Sequence, residues 1–269
     1  MTIKKAYVDT LLGQIHFRYG GPTEAIPIIF LHQNTSSSKM FERTMEKLSN
    51  IHQVIAFDLP GFGESYEPPD FDSISQLTLP IIEAINCLEI DEFHLCGQHT
   101  GAGMAAEIGV LLPERVRSVM MIGPLLLTNE EKQWYRANFK GSAKPDKDAQ
   151  YLKATWEYLE TNGAGVNLEM FHEEFWQALR SWRARGMVYQ CVWDYPFEDF
   201  FELLTCPMLL MSAPDDVLYQ GYLRAKEARP TAYAVELKGS NFEPYLDPIG
   251  TGNAISGFLN KTINNELKN

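Results

Sequence analysis

The chain has 269 residues, 45% of them hydrophobic, and carries 35 Asp and Glu against 23 Lys and Arg for a formal charge of -12. That apolar share fills one α/β domain with an insertion, or two small domains. The acidity weighs against nucleic acid and anionic membrane as partners, which leaves a small molecule as the expected partner and the oligomeric state open.

No apolar run is long enough to span a bilayer, and the first six residues carry no apolar signal core, so a cytoplasmic location is expected. Cys87, Cys96, Cys191 and Cys206 form no Cys-x-x-Cys pair and read as buried free thiols. No Cys/His cluster has zinc spacing, so neither a metal nor another cofactor is expected.

Lys4 to Asp9 and Gln14 to Tyr19 read as an edge hairpin turning near Gly13. Pro27 to Leu31 is continuously apolar, as in a strand buried on both faces, and runs into His32-Gln33-Asn34. Ser38 is a candidate cap for a helix over Met40 to Leu48. Val54 to Phe57 is another buried strand, entering the turn-rich Asp58-Leu59-Pro60-Gly61-Phe62-Gly63-Glu64-Ser65. Ser73 is a candidate cap for a helix reaching Leu88, with Pro80 tolerable only near its start. Phe93 to Gly103 reads as strand, tight Gly-x-His-x-Gly turn and helix, with His99 at the tip. Ser118 to Ile122 is the next strand.

Strand and helix alternate to this point, which predicts a doubly wound, mostly parallel sheet. Between residues 128 and 201 the spacing turns helical, and all five tryptophans fall there. The sheet resumes with Cys206 to Met211 and Ala232 to Leu237, and a last helix covers Pro248 to Ile263. The expected organisation is a core of residues 1–127 and 202–269 with a helical cap at 128–201.

Five stretches, in order, resemble the α/β-hydrolase fold superfamily of the capped, single-domain kind. His32-Gln33-Asn34 resembles its oxyanion-hole segment, and Asp58 to Ser65 its Asp-x-x-Gly-x-Gly-x-Ser loop. Gly97 to Gly101 matches the nucleophile elbow, where a strained strand-to-helix turn pushes one side chain out over the sheet. Ser212 to Asp216 resembles the segment carrying the catalytic acid, and Gly239 to Phe242 the segment carrying the catalytic histidine. The chain departs from the pattern at two decisive places. His99 stands where Ser, Cys or Asp is usual, and Asn241 where the histidine is usual.

The resemblance implies a catalytic set of His99, Asp215 and Asn241, with Asp216 as a one-residue shift of the acid. It implies an oxyanion hole from the backbone of Asn34 and Thr100. An acyl-serine route has no hydroxyl at the elbow tip. Imidazole titrates near neutral pH, so His99 suits general acid/base work, with the acid in direct contact with it. Gly97 and Gly101 still permit the tight turn, which weighs against a merely space-filling His99. Gln33, Trp134, Trp156, Trp176 and Trp193 are the expected substrate contacts, for an apolar or aromatic carbonyl compound. Arg180, Arg183 and Arg185 form a basic run, read as a solvated helix face or as recognition of a substrate carboxylate. The expected activity is hydrolysis or C–C/elimination chemistry. Binding without turnover is the alternative, and cofactor-free oxygenation of an aromatic ring ranks last. His32, Asp58 and Ser65 read as loop architecture.

Overall fold

The computed structural model describes residues 2–139 and 144–263. Eight strands, β1 (Lys4–Thr10), β2 (Gly13–Gly20), β3 (Ile28–Leu31), β4 (Val54–Phe57), β5 (Phe93–Gln98), β6 (Val116–Ile122), β7 (Met208–Ser212) and β8 (Tyr233–Glu236), form one sheet in the order β1-β2-β4-β3-β5-β6-β7-β8. The β1–β2 and β2–β4 pairings are antiparallel; every later pairing is parallel. The helices are α1 (Glu42–Leu48), α2 (Ser75–Cys87), α3 (Thr100–Leu111), α4 (Asn129–Asn138), α5 (Gln150–Thr161), α6 (Leu168–Arg180), α7 (Trp182–Cys191), α8 (Phe197–Leu203), α9 (Tyr219–Ala228), α10 (Glu243–Leu246) and α11 (Pro248–Ile263).

The buried strands sort their side chains by alternation. Ile29, Leu31, Ile55, Phe57, Leu95, Val119 and Leu210 share a core with α2 and α3. Ile28, Phe30, Val54, Ala56, Cys96, Met120 and Leu209 share the other with α1 and α11. Helices on both faces explain why these strands read as continuous apolar runs.

Local caps differ from expectation. Ser37, not Ser38, caps a short 3-10 turn ahead of α1. Ser73 does not cap α2, which starts at Ser75 after Ile74, and Pro80 sits well inside that helix. All four cysteines are free, but Cys87 is exposed rather than buried. No helix among the described residues is long and apolar enough to cross a membrane.

Between β6 and β7 every described element is helical. This insertion has its own apolar centre in Leu159, Ala164, Met170, Phe171 and Ala178, which closes on Phe242 and Tyr245 from the core. A second tie runs through Tyr195, whose hydroxyl oxygen lies 2.9 Å from Glu107 Oε2 and 3.1 Å from Gly103 O on α3 and shares its one proton between them.

Candidate active site

The chain leaves β5 at Gln98 and enters α3 at Thr100, so one residue must reverse direction. That residue is His99, held at φ 47 and ψ -111. Histidine tolerates positive φ better than most side chains, yet this ψ still marks a strained tip. The crossing depends on two glycines. A Cβ on Gly97 would lie 2.0 Å from Gly101 O, and one on Gly101 would lie 2.1 Å from Leu31 O. His99 N donates to Ile122 O (2.9 Å), and His99 O accepts from Ala102 N (2.9 Å), which pins both sides of the turn.

The imidazole Nε2 lies 2.8 Å from Asp216 Oδ2. The acid in contact with His99 is therefore Asp216, and the expectation of Asp215 is corrected. Asp215 is exposed, and its backbone carbonyl accepts from Ser240 Oγ (3.0 Å). The tight turn closed by Asp216 N on Ala213 O (3.0 Å) directs the later of the two carboxylates inward. Asp216 is only 6% exposed, and burial alone would raise its pKa. The charge and hydrogen bond of His99, a hydrogen bond from Glu243 and the N–H of Leu218 outweigh burial and hold it below the ordinary carboxylate value. Leu218 N is 2.6 Å from Asp216 Oδ1.

Behind this pair sits Glu243, fully buried. Gln98 Nε2 donates to its Oε2 (2.7 Å) and Ala213 N to its Oε1 (3.1 Å). Burial first, then the neighbouring Asp216 charge, push the Glu243 carboxyl well above its ordinary value, so it is the protonated partner of the two carboxyls. His99, Asp216 and Glu243 thus form a line in which a neutral acid donates to an ionised one, and the ionised one accepts from the imidazole. The sequence reading missed Glu243. Its one signal was its place two residues after Asn241, in the segment already singled out.

Asn241 is buried at the site but its side chain serves the loops. Its Oδ1 accepts from Val217 N (3.1 Å) and its Nδ2 donates to Asn162 O (2.8 Å). Its backbone carbonyl accepts from Gln33 Nε2 (2.8 Å) and Gln98 Nε2 (3.0 Å). It lies beside His99 in the pocket wall and has no hydrogen bond to His99 or Asp216 among the described contacts. Gly123 completes the seat. A Cβ there would fall 2.4 Å from His99 Cδ2 and 3.1 Å from Asp216 Oδ2.

His99 opens into a pocket of about 610 Å³, open solvent at its mouth included. Gln33, Asn34, Thr100, Asn241 and Trp193 line it, as do Tyr135, Phe139, Tyr158, Tyr189 and Phe242. Thr100 is the first residue of α3, so its N–H has no acceptor within the helix. Trp134, Trp156 and Trp176 are not in the wall. They are 57%, 42% and 57% exposed; Trp156 packs on Phe171, and Trp176 donates to His172 Nε2 (3.0 Å). The aromatic wall is mostly tyrosine and phenylalanine from the insertion, with Trp193 stacked on Tyr135 at 4.9 Å.

The flanking loops are held by buried side-chain hydrogen bonds. His32 Nδ1 bonds Gln33 O (2.8 Å) and Nε2 accepts from Leu59 N (3.0 Å), so the ring is neutral with its proton on Nδ1. Burial lowers its pKa, in keeping with that state. Asp58 bonds His16 Nδ1 (2.8 Å), Ser38 N (2.7 Å) and Glu64 N (2.8 Å). Burial opposes its ionisation, but these donors overcome it and bring its pKa to about 2. Ser36 Oγ donates to Glu174 Oε1 (2.9 Å) on α6, joining the loop after β3 to the insertion.

A family profile described as alpha/beta hydrolase fold matches residues 26–191, from β3 through the elbow to the end of α7. The chain belongs to the alpha/beta hydrolase fold family. Among curated relatives of this family, the chain is 24% identical over 156 residues to the dihydrolipoyllysine-residue acetyltransferase component of an acetoin cleaving system from Cupriavidus necator. That match covers 58% of this chain and 40% of the relative, and the chain covers between 29% and 41% of the length of the first such relatives it matches. Among solved structures, an enol-lactonase from Burkholderia xenovorans has a TM-score of 0.78 at 16% identity, covering 95% of this chain and 100% of that one. A carboxylesterase from Bacillus subtilis has a TM-score of 0.77 at 19% identity, covering 96% and 92%. At these identities the two structures speak to the fold alone.

Proposed function

We propose that the protein is a hydrolase of small carbonyl compounds, esters or lactones, that works without an acyl-serine intermediate. The observation that carries this reading is the 2.8 Å contact between His99 Nε2 and Asp216 Oδ2 at the elbow tip. An ionised Asp216 fixes the imidazole proton on Nε2, which leaves Nδ1 with its lone pair as the base. In the ordinary serine triad the acid takes Nδ1 and Nε2 does the work, so this arrangement uses the ring the other way round. Nδ1 of His99 takes a proton from water as the water oxygen attacks the substrate carbonyl carbon. The N–H groups of Thr100 and Asn34 receive the oxyanion, and the imidazolium returns the proton to the leaving oxygen.

The insertion acts as the cap over this chemistry, at residues 128–201. Among the described residues no Lys, Arg, Asp or Glu lines the pocket around His99, which supports an uncharged, apolar or aromatic group at the reacting end. Asn241 is assigned to holding the cap and Gln33 in place rather than to proton transfer.

The test is turnover on a panel of aryl esters and lactones, with a serine-directed phosphonate alongside. Wild type is expected to turn over at least one substrate with no stoichiometric label, and His99→Gln to lose at least about 100-fold in kcat. Full activity in His99→Gln, or labelling at a serine near the elbow, overturns the reading. No turnover combined with a raised Tm on aryl ligands makes the protein a binding protein instead.

A further inference from the structure

Three arginines punctuate the turn from α6 to α7, and the structure treats them differently. Arg180 pairs with Glu64 and Arg183 with Asp70, each at 2.7 Å on the exposed surface. Arg185 is only 3% exposed and has no ion pair among the described residues. Its Nε is buried with no hydrogen-bond partner. Its guanidinium lies 4.2 Å over the ring of Tyr158. The face of a tyrosine steadies a cation but does not satisfy the N–H donors at the guanidinium edge. A buried charge lacking an anion is far costlier than a buried neutral polar group, and a protein of charge -12 has ample carboxylates to supply one.

The guanidinium borders a surface groove of about 780 Å³ whose apolar floor includes Trp134, Phe139 and Tyr189. Phe139, Tyr158 and Tyr189 also line the His99 pocket, so groove and pocket share a wall. The hydroxyls of Tyr158 and Tyr189 bond each other at 2.5 Å in that wall. Trp134, more than half exposed, presents a flat apolar surface there. Glu157 also reaches the groove, but it is 61% exposed and faces Lys153 at 3.6 Å on its own helix.

We propose that this groove is a carboxylate-binding subsite, in which Arg185 clamps the anionic end of an aromatic substrate through its planar edge. The planar fork suits a two-point contact with a carboxylate, while Trp134 and Phe139 take the ring. The substrate is then an aromatic acid whose carboxylate is held at Arg185. Only the word substrate depends on the hydrolase reading; the binding site itself does not.

The experiment is calorimetric titration with benzoate, its neutral counterpart benzamide, and inorganic phosphate. Wild type is expected to bind benzoate at least tenfold more tightly than benzamide or phosphate. Arg185→Gln is expected to abolish that preference, and Arg185→Lys to keep part of it, because the charge survives without the planar edge. The lysine variant also guards against a glutamine variant that fails to fold. His99→Ala is expected to bind benzoate as wild type does, which separates failure of the subsite from failure of the catalytic reading. Equal binding of benzoate and benzamide by wild type, or an unchanged preference in a folded Arg185→Gln, overturns the proposal. Phosphate binding as tight as benzoate overturns the assignment to an aromatic carboxylate.

Discussion

At the scale of the residue, the site is a matter of tenths of an ångström around one imidazole. Gly123 has φ +59, and any Cβ there collides with the His99 ring. Gly123→Ala is therefore expected to cost about 1–3 kcal/mol from overpacking and to displace His99 from Asp216. The check is urea unfolding together with the imidazole 15N shifts of His99. Glu243 invites the opposite manipulation. Glu243→Gln keeps a neutral donor toward Asp216, while losing one of the two acceptors used by Gln98 Nε2 and Ala213 N, and should preserve the Nε2-protonated tautomer of His99 in the same spectra. Glu243→Leu removes the donor, leaves Ala213 N without its acceptor and leaves Gln98 Nε2 with Asn241 O alone, which should disturb the tautomer and cost roughly 1–3 kcal/mol. His99 was legible in the sequence because the glycines that permit its turn are local to it. The choice between Asp215 and Asp216 was not, because it depends on a single turn closing from Ala213 to Asp216. Glu243 was invisible for another reason: a glutamate after a loop reads as an exposed helix start, and only the tertiary fold buries it.

At the scale of the element, α6 is tied to the loop after β3 by a carboxyl that is mostly protonated at neutral pH. Burial, against the weaker pull of the Ser36 hydroxyl, moves Glu174 up to about 8 from 4.5. A raised folded pKa means that stability is full below the unfolded value and lost as pH rises through the folded one. Between pH 4.5 and 8 each unit is expected to weaken the fold by up to ~1.4 kcal/mol through this group. Glu174→Gln should flatten that slope, seen as urea midpoints at pH 5, 6.5 and 8 that differ less than in wild type. Strands were easier to read than the insertion helices. A strand buried on both faces declares itself as an apolar run, as at Ile28 to Leu31. In the insertion, apolar rings serve a private core, the pocket wall and the outer groove at once, so Trp134, Trp156, Trp176 and Trp193 could not be sorted by spacing.

At the scale of the whole molecule, buried ionisable groups pull stability in opposite directions with pH. Asp58, held at about 2 against an ordinary 3.8, contributes ~2 kcal/mol above pH 4 that is lost as pH falls through 2. Burial holds His94 at about 4 and lowers His32 as well, so both favour the fold above pH 6.5 and withdraw that support on acidification. Glu174 and Glu243 do the reverse, since both are raised. Between pH 4.5 and 6.5 the histidines and glutamates oppose each other, so the unfolding free energy should be broad and maximal there. Denaturant titrations at pH 3, 5.5 and 8.5 should place the highest midpoint at 5.5. A midpoint that climbs steadily to 8.5 contradicts the buried, protonated state of the two glutamates.

The reversed imidazole also constrains how such a chain exchanges one chemistry for another over evolutionary time. Replacing His99 with serine restores a hydroxyl at the elbow but deprives Asp216 of its imidazole. Replacing Asn241 with histidine in an otherwise unchanged chain removes the ties to Val217 N and Asn162 O while His99 still occupies Asp216. Each single step breaks an existing contact, so neither exchange alone assembles a serine, histidine and acid set. The candidate site thereby couples two positions 142 apart in the chain (241 minus 99).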